Sequence, residues 1–108
     1  MIRDLTRLTS IIEEFRKMDA EMQMQTAMAF LLIAKNEGCT VKELGSWLGL
    51  SGAAASRNVA ALSDVHRKGR SGHNVIVAKV DLDDRRSRKL HLTPKGKAIL
   101  NTLMAQVG

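Results

Sequence analysis

Two helix starts and one helix stop lie within the short segment TVKELGSWLGLS, residues 40–51. Thr40 and Glu43 have the spacing of a capping box, in which the threonine hydroxyl and the glutamate carboxylate each accept a backbone N–H at the start of a helix. Gly49 is typical of a residue that follows the end of a helix, and Ser51 is a typical N-cap. The segment therefore predicts a short helix, a tight turn and a second helix, and the rest of the chain must pack around that pair.

The second helix of this pair is predicted in GAAASRNVAALSDV, directly after Ser51, and it has two different faces. Ala55, Val59 and Leu62 recur at spacings of four and three and predict an inward stripe. The opposite face has small side chains and one long one: Ala53, Ser56, Arg57 and Ala60. A slim helix face fits the DNA major groove, where an arginine can make two hydrogen bonds to guanine. Residues 51–62 thus have two interpretations, a recognition helix that reads bases through Ala53, Ser56 and Arg57, or an alanine-rich helix packed on a neighbour.

Helices are also predicted on both sides of the pair. Leu5, Leu8, Ile12 and Phe15 recur at helical spacing, which indicates an amphipathic helix over about 2–17. Asp19 is the predicted N-cap of a second helix that ends near residue 37. Near the C-terminus, Thr93-Pro94 is typical of a helix start, and we expect a final helix over 93–107.

A β-hairpin is predicted between the helix pair and the final helix. VIVAKV at 75–80 is rich in β-branched residues, RKLHL at 88–92 alternates apolar and polar residues, and DLDDRRS between them is turn-like. The fold class is therefore mainly α with a small β-hairpin wing: a winged helix-turn-helix with N-terminal and C-terminal flanking helices. We expect one domain over 1–108, with flanking helices at 1–37, the helix-turn-helix at 40–66, the wing at 75–92 and the C-terminal helix at 93–107.

Positive charge is concentrated in the second half of the chain. The net charge is +6, but residues 1–56 carry six Lys and Arg against seven Asp and Glu, whereas residues 57–108 carry eleven against four. This asymmetry favours a polyanionic partner on one face, although charged segments are also common as solvated surface. The cations and N-cap expected to contact a DNA backbone are Ser51, Lys68, Arg70, Arg85, Arg86, Arg88, Lys89 and Lys95.

Other classes of function have little support in the sequence. No apolar run reaches the roughly 18 residues that cross a bilayer, and the N-terminus lacks the pattern of a secretion signal. A single cysteine, Cys39, fits a cytoplasmic protein, and its neighbours predict a semi-buried structural thiol rather than a redox sensor. The histidines have no zinc-ligand spacing, and no catalytic motif is present. We therefore expect no enzyme, no metal, no cofactor and no membrane partner.

The stretch from Thr40 to Leu100 resembles the multiple-antibiotic-resistance regulator (MarR) family of winged-helix transcription factors. The resemblance is carried by TVKELGSWLGLS, by Ser56-Arg57, and by DLDDRR at 81–86 followed by LTPKG at 92–96. It implies a homodimer with two recognition helices in successive major grooves of a pseudo-palindromic operator and wings in the flanking minor grooves. It also implies repression, often relieved by a small phenolic effector or by cysteine oxidation.

The resemblance assigns further roles by position. Arg86 matches the arginine of the family's wing motif, and the aspartate that often pairs with it falls at Ala60 here. Two alternatives stay open for Arg86: Asp81, Asp83 or Asp84 braces it within the wing turn, with Asp81 and Asp84 the main bracing residues, or it remains free for DNA. RKGRSGHN at 67–74 lengthens the link between recognition helix and wing. The residues expected in the dimer interface are Leu5, Leu8, Ile12, Phe15, Leu103 and Val107.

Two classes of function stay open at this point, beside nonspecific coating of DNA, which would give equal affinity for scrambled and cognate duplexes. The first is a sequence-specific regulator that binds double-stranded DNA, with the sign of regulation and any small-molecule effector undetermined by the sequence. The second is a winged-helix protein-interaction module that contacts RNA polymerase or another protein of transcription or replication, favoured by the bland, alanine-rich face of residues 51–62. Selection of bound duplexes from a random pool distinguishes them.

Overall fold

The computed structural model describes residues 1–64 and 72–108. Its elements in chain order are α1 Ile2–Met18, α2 Met24–Lys35, β1 Cys39–Thr40, α3 Val41–Leu48, α4 Gly52–Leu62, β2 Ile76–Val80, β3 Arg88–Leu92 and α5 Pro94–Val107. This order confirms the predicted winged helix-turn-helix with flanking helices. None of the helices within these two ranges is long and apolar enough to span a bilayer.

The helix-turn-helix pair forms through the local signals present in its sequence. The Thr40 hydroxyl accepts a hydrogen bond from the Glu43 amide at 3.1 Å, and the Glu43 carboxylate accepts one from the Thr40 amide at 3.0 Å. Gly49 ends α3 with φ +67°, a left-handed conformation that suits glycine. The Ser51 hydroxyl then accepts from the Ala54 amide at 3.1 Å and starts α4.

The start of α2 differs from the prediction, which made Asp19 its N-cap. The helix begins at Met24, after Gln23. Asp19 instead closes a turn at the end of α1: its carboxylate accepts from the Glu21 amide at 2.9 Å, and its carbonyl accepts from the Met22 amide at 3.0 Å. An aspartate can bond the amide two residues ahead in a turn as readily as in a cap, so its presence alone does not locate a helix start.

The sheet has three strands in the order β1-β3-β2, one more than the predicted hairpin. Cys39 of β1 lies opposite Leu90 of β3, and both pairs of neighbouring strands are antiparallel. Beyond the end of this short strand, the Glu37 carboxylate accepts a hydrogen bond from the Leu92 amide at 2.9 Å. A two-residue strand is too short to show alternation in a sequence, and so β1 was missed. It attaches the wing to the residues that begin α3.

A single core joins the helices to the sheet. Its fully or largely buried members include Phe15, Phe30, Leu44, Leu62, Ile76, Leu90 and Leu103. The rings of Phe15 and Phe30 meet edge to face with centroids 6.0 Å apart. Because Phe15 and Leu103 are 6% and 2% exposed, these two members of the expected dimer set belong to the core of one protomer. The other four, Leu5, Leu8, Ile12 and Val107, are more than half exposed.

The LTPKG segment fixes the root of the wing against α5. The Thr93 hydroxyl accepts from the Gly96 amide at 3.0 Å, as predicted for an N-cap, and donates to the Asn74 carbonyl at 2.7 Å. A Cβ on Gly96 would lie 2.1 Å from the Val75 carbonyl oxygen. The glycine is thus required by the close approach of the first turn of α5 to the chain that enters β2.

Candidate nucleic-acid interface

The helix α4 presents one slim face to solvent and packs the other. Ala53, Ser56 and Arg57 are exposed, as is the N-cap Ser51. On the inner face Ala55, Val59 and Leu62 are buried, as the spacing predicted. A Cβ on Gly45 of α3 would lie 3.2 Å from the Ala55 Cβ, so the two helices approach closely there. The outer face, with one long side chain among small ones, has the shape that a major groove admits.

Arg57 lies at the rim of a groove of about 500 Å³ between α4 and the loop that connects α1 to α2. Asp19, Thr26, Asn58 and His73 also line this groove. Asp19 approaches His73 with 3.9 Å between its carboxylate and Nε2. The Arg57 guanidinium, however, makes no hydrogen bond or ion pair with residues 1–64 or 72–108. Its five donors are therefore available, within the described structure, for a ligand.

The wing places two lysines directly opposite each other. Lys79 of β2 pairs with Lys89 of β3, so that both side chains lie on the same face of the sheet, and both residues are exposed. Asp81 offsets Lys89 weakly, with 3.9 Å between its carboxylate and the Lys89 ammonium. Lys79 was not among the predicted contact residues. Its charge was visible in the sequence, but only the strand register places it beside Lys89.

The carboxylates of the wing turn bond to its backbone. Asp84 accepts from the Arg86 amide at 3.1 Å and from the Ser87 hydroxyl at 3.2 Å. Asp81 accepts from the Asp83 amide at 3.0 Å. These contacts occupy acids that would otherwise face a polyanion, and they hold the turn rather than the side chain of Arg86.

The cations of the turn point away from the core. Arg85, Arg86 and Arg88 are all exposed, and Arg88 donates from its guanidinium to the Arg85 carbonyl at 3.3 Å. In the described ranges no carboxylate pairs with the Arg86 guanidinium. Its position on the wing is thus compatible with binding to a ligand.

Three other predicted contact residues have different outcomes. Lys95 is exposed near the start of α5 and lines a separate groove with Glu14 and Lys17 of α1. Lys68 and Arg70 lie outside the described residues.

Cys39 is buried within β1, at 5% exposure. Burial raises the pKa of its thiol, and the nearby Glu43 carboxylate raises it further. A raised pKa disfavours the thiolate that oxidation and alkylation require, which agrees with a structural role. Elsewhere in the described ranges, no three His, Cys, Asp or Glu side chains are grouped so that they could hold a metal ion.

One polar contact of α4 was missed by the sequence reasoning. Thr26 of α2 and Asn58 of α4 are buried and hydrogen-bonded to each other. Nothing in the local pattern of either helix identifies the pair, because its members are 32 residues apart.

No protein-family model and no curated protein matches this sequence. Solved structures do: the S. aureus MepR–DNA complex superposes with a TM-score of 0.74 at 15% identity, over 92% of this chain and 73% of that one. A MarR transcriptional regulator from Methanosarcina mazei Go1 superposes with a TM-score of 0.70 at 17% identity, over 92% of this chain and 64% of that one. Streptococcus pneumoniae FabT in complex with DNA superposes with a TM-score of 0.65 at 21% identity, over 95% of this chain and 70% of that one.

The likeness extends over nearly all of this chain, whereas the chain spans 64% to 73% of the length of these three structures. The arrangement they share comprises the five helices and the small antiparallel sheet. The chain therefore has the winged helix-turn-helix fold of the MarR transcriptional regulators.

Proposed function

We propose that this chain is a transcriptional regulator that binds double-stranded DNA sequence-specifically as a homodimer. The observation that carries the proposal is the exposed face of α4, where Arg57 is the one long side chain beside Ala53 and Ser56. Support from the fold comes from MepR and FabT, whose similar structures were solved with DNA.

In this proposal α4 enters the major groove. Ala53 and Ser56 allow the helix to approach the base edges, and Arg57 donates two hydrogen bonds to a guanine. Ser51 at the N-terminal end of α4 approaches a phosphate, where backbone N–H groups and the positive end of the helix dipole favour an anion. The lack of a protein partner for Arg57 within the described ranges means that binding breaks no ion pair there.

The wing supplies backbone and minor-groove contacts through Lys79, Arg85, Arg86, Arg88 and Lys89. Two lysines directly opposite each other destabilise a sheet by like-charge repulsion. A polyanion that lies across them relieves this repulsion, whereas an uncharged protein surface does not. The wing thus favours a polyanionic partner such as DNA over an uncharged protein surface.

A second copy of the chain covers the exposed apolar side chains of α1 and the end of α5. Ile2, Leu5, Leu8 and Ile12 are between 53% and 80% exposed, and Val107 is 58% exposed. Apolar surface of this kind, clustered on one helix, is typical of an association interface. Two-fold association would present two α4 helices to two half-sites. We propose repression as the mode of action, because a dimer seated on a promoter excludes polymerase.

Selection of bound duplexes from a random pool, followed by sequencing, tests this function. We expect a palindromic motif whose half-sites are separated by about one or more helical turns of DNA. A single half-site would contradict the dimer. No enrichment, combined with nuclease-insensitive binding to a transcription protein, would favour the protein-interaction module instead.

A further inference from the structure

In residues 1–64 and 72–108 two polar side chains are buried, and they are bonded to each other. Thr26 and Asn58 are 7% and 4% exposed. The Thr26 hydroxyl donates to the Asn58 side-chain oxygen at 2.6 Å, and the Asn58 side-chain amide donates to the Ala54 carbonyl at 2.9 Å. The Asn58 side chain is therefore held from both ends, by α2 and by its own helix.

Apolar packing alone leaves some freedom in the rotation of α4. Val59 and Leu62 are buried in the core, but toward α3 the closest contact is Ala55 against Gly45, where neither helix has a bulky side chain. Apolar contacts are non-directional, so they change only gradually as a helix turns. A buried hydrogen bond is different, because a small rotation leaves both polar groups without a partner.

Asn58 directly follows Arg57 in α4. Successive side chains on an α-helix are separated by about 100° around its axis, so fixing the direction of Asn58 also fixes that of Arg57. Both residues and Thr26 line the same groove, with Asn58 at its buried side and Arg57 at its exposed rim.

We propose that Thr26 and Asn58 are positioning residues: their hydrogen bond sets the rotation of α4 and thereby aims Arg57 at the base edges. This inference rests on the proposed function, in which α4 reads DNA. Neither residue touches the ligand in this account. Their contribution is to the choice among sequences, because a misdirected arginine still attracts phosphates while it loses the geometry of a bidentate contact.

The test replaces both partners together. In the double variant Thr26→Val, Asn58→Leu the volumes stay close to the original and no buried polar group is left without a partner, so we expect the variant to fold. Thr26→Ser is the matched control, because it keeps the hydroxyl.

Affinities for the selected duplex and for a scrambled duplex are measured at one salt concentration. We expect the ratio of the two affinities to fall by at least about fivefold in the double variant, the effect of removing one well-placed base contact, and to stay near wild type in Thr26→Ser.

A structural role alone predicts a different result. If the double variant keeps the wild-type ratio, the inference is wrong, whatever its melting temperature. Should the double variant not fold, Thr26→Val alone is compared with Thr26→Ser by the same ratio, and equal ratios would again overturn the inference.

A second measurement in the free protein separates this inference from the proposed function. Residual dipolar couplings of backbone amides report the orientation of α4 relative to α2. We expect the α4 couplings to change in the double variant and to stay unchanged in Thr26→Ser. If wild-type protein prefers no duplex, the proposed function fails while the couplings still decide whether the pair orients α4; unchanged couplings in the double variant refute the positioning role itself.

Discussion

The helix α4 and the wing present their cations in opposite ways. On α4 a single exposed arginine, Arg57, stands on a helix whose inner face is buried and hydrogen-bonded. The wing presents five exposed cations, Lys79, Arg85, Arg86, Arg88 and Lys89, around a turn held by carboxylates. One arginine among small side chains suits discrimination among bases, and a cluster of cations suits affinity for phosphates. We expect substitutions in the two regions to separate specificity from affinity.

The strongest way to break the comparison is to detach the wing at its root. Gly96→Ala places a Cβ against the Val75 carbonyl, at a distance no packed atoms tolerate. Overpacking against backbone should lower the free energy of unfolding by about 3 kcal/mol. Chemical denaturation measures the decrease. Gly52→Ala is the control, because a Cβ there meets nothing within 4 Å; an equal decrease in both variants would contradict the close-approach account of LTPKG.

Removal of the one long side chain on α4 should change specificity. Arg57→Ala is expected to lower affinity for the selected duplex by about 1–3 kcal/mol and to relax base preference at one position of each half-site. Binding to a panel of single-base variants of the duplex, measured by anisotropy, gives both quantities. A uniform decrease across the panel would assign Arg57 to phosphate contact instead.

The turn of the wing offers two aspartates with the same charge and different contacts. Asp84 accepts two hydrogen bonds within the turn, whereas the Asp83 side chain makes none to the described residues. Either substitution to alanine removes one negative charge near DNA, which favours binding. Asp84→Ala also frees the turn, so we expect it to bind duplex more weakly than Asp83→Ala by about 1 kcal/mol. Equal affinities, with equal amide exchange in the turn, would remove the bracing role.

Local signals in the sequence were enough to locate most elements of the fold. The capping box at Thr40, the helix end at Gly49, and the Thr93-Pro94 start of α5 depend on neighbours within four residues, and each was predicted. What was missed depends on residues far apart in the chain. The strand β1 exists because Cys39 meets Leu90, and the Asn58 contact exists because α2 packs on α4. The late start of α2 was missed for another reason: the Asp19 side chain can bond a nearby amide either in a turn, as it does here, or at a helix N-cap.

The residues of the candidate interface also divide into those that local sequence predicts and those that depend on residues far apart in the chain. The exposure of Ala53, Ser56 and Arg57 follows from helical periodicity, which a sequence displays directly. Lys79 could not be assigned, because its relation to Lys89 is set by strand register across a seven-residue turn, and a shift of one residue would place it on the other face.

Lys79 also provides the mildest test of the comparison, since the like-charge pair should reduce stability and contribute affinity. Lys79→Gln removes the repulsion with Lys89, and we expect the free energy of unfolding to rise by a few tenths of a kcal/mol. Removing one phosphate-binding cation per protomer should also weaken binding to all duplexes alike and reduce the slope of log affinity against log salt by about one unit for each cation removed. Denaturation and salt titration measure the two effects.

The matched control is Lys42→Gln, because Lys42 of α3 is exposed and faces no lysine across a strand. A gain in stability without any change in salt slope would place DNA away from this face of the wing, and would leave α4 as the sole region touching the duplex among those compared.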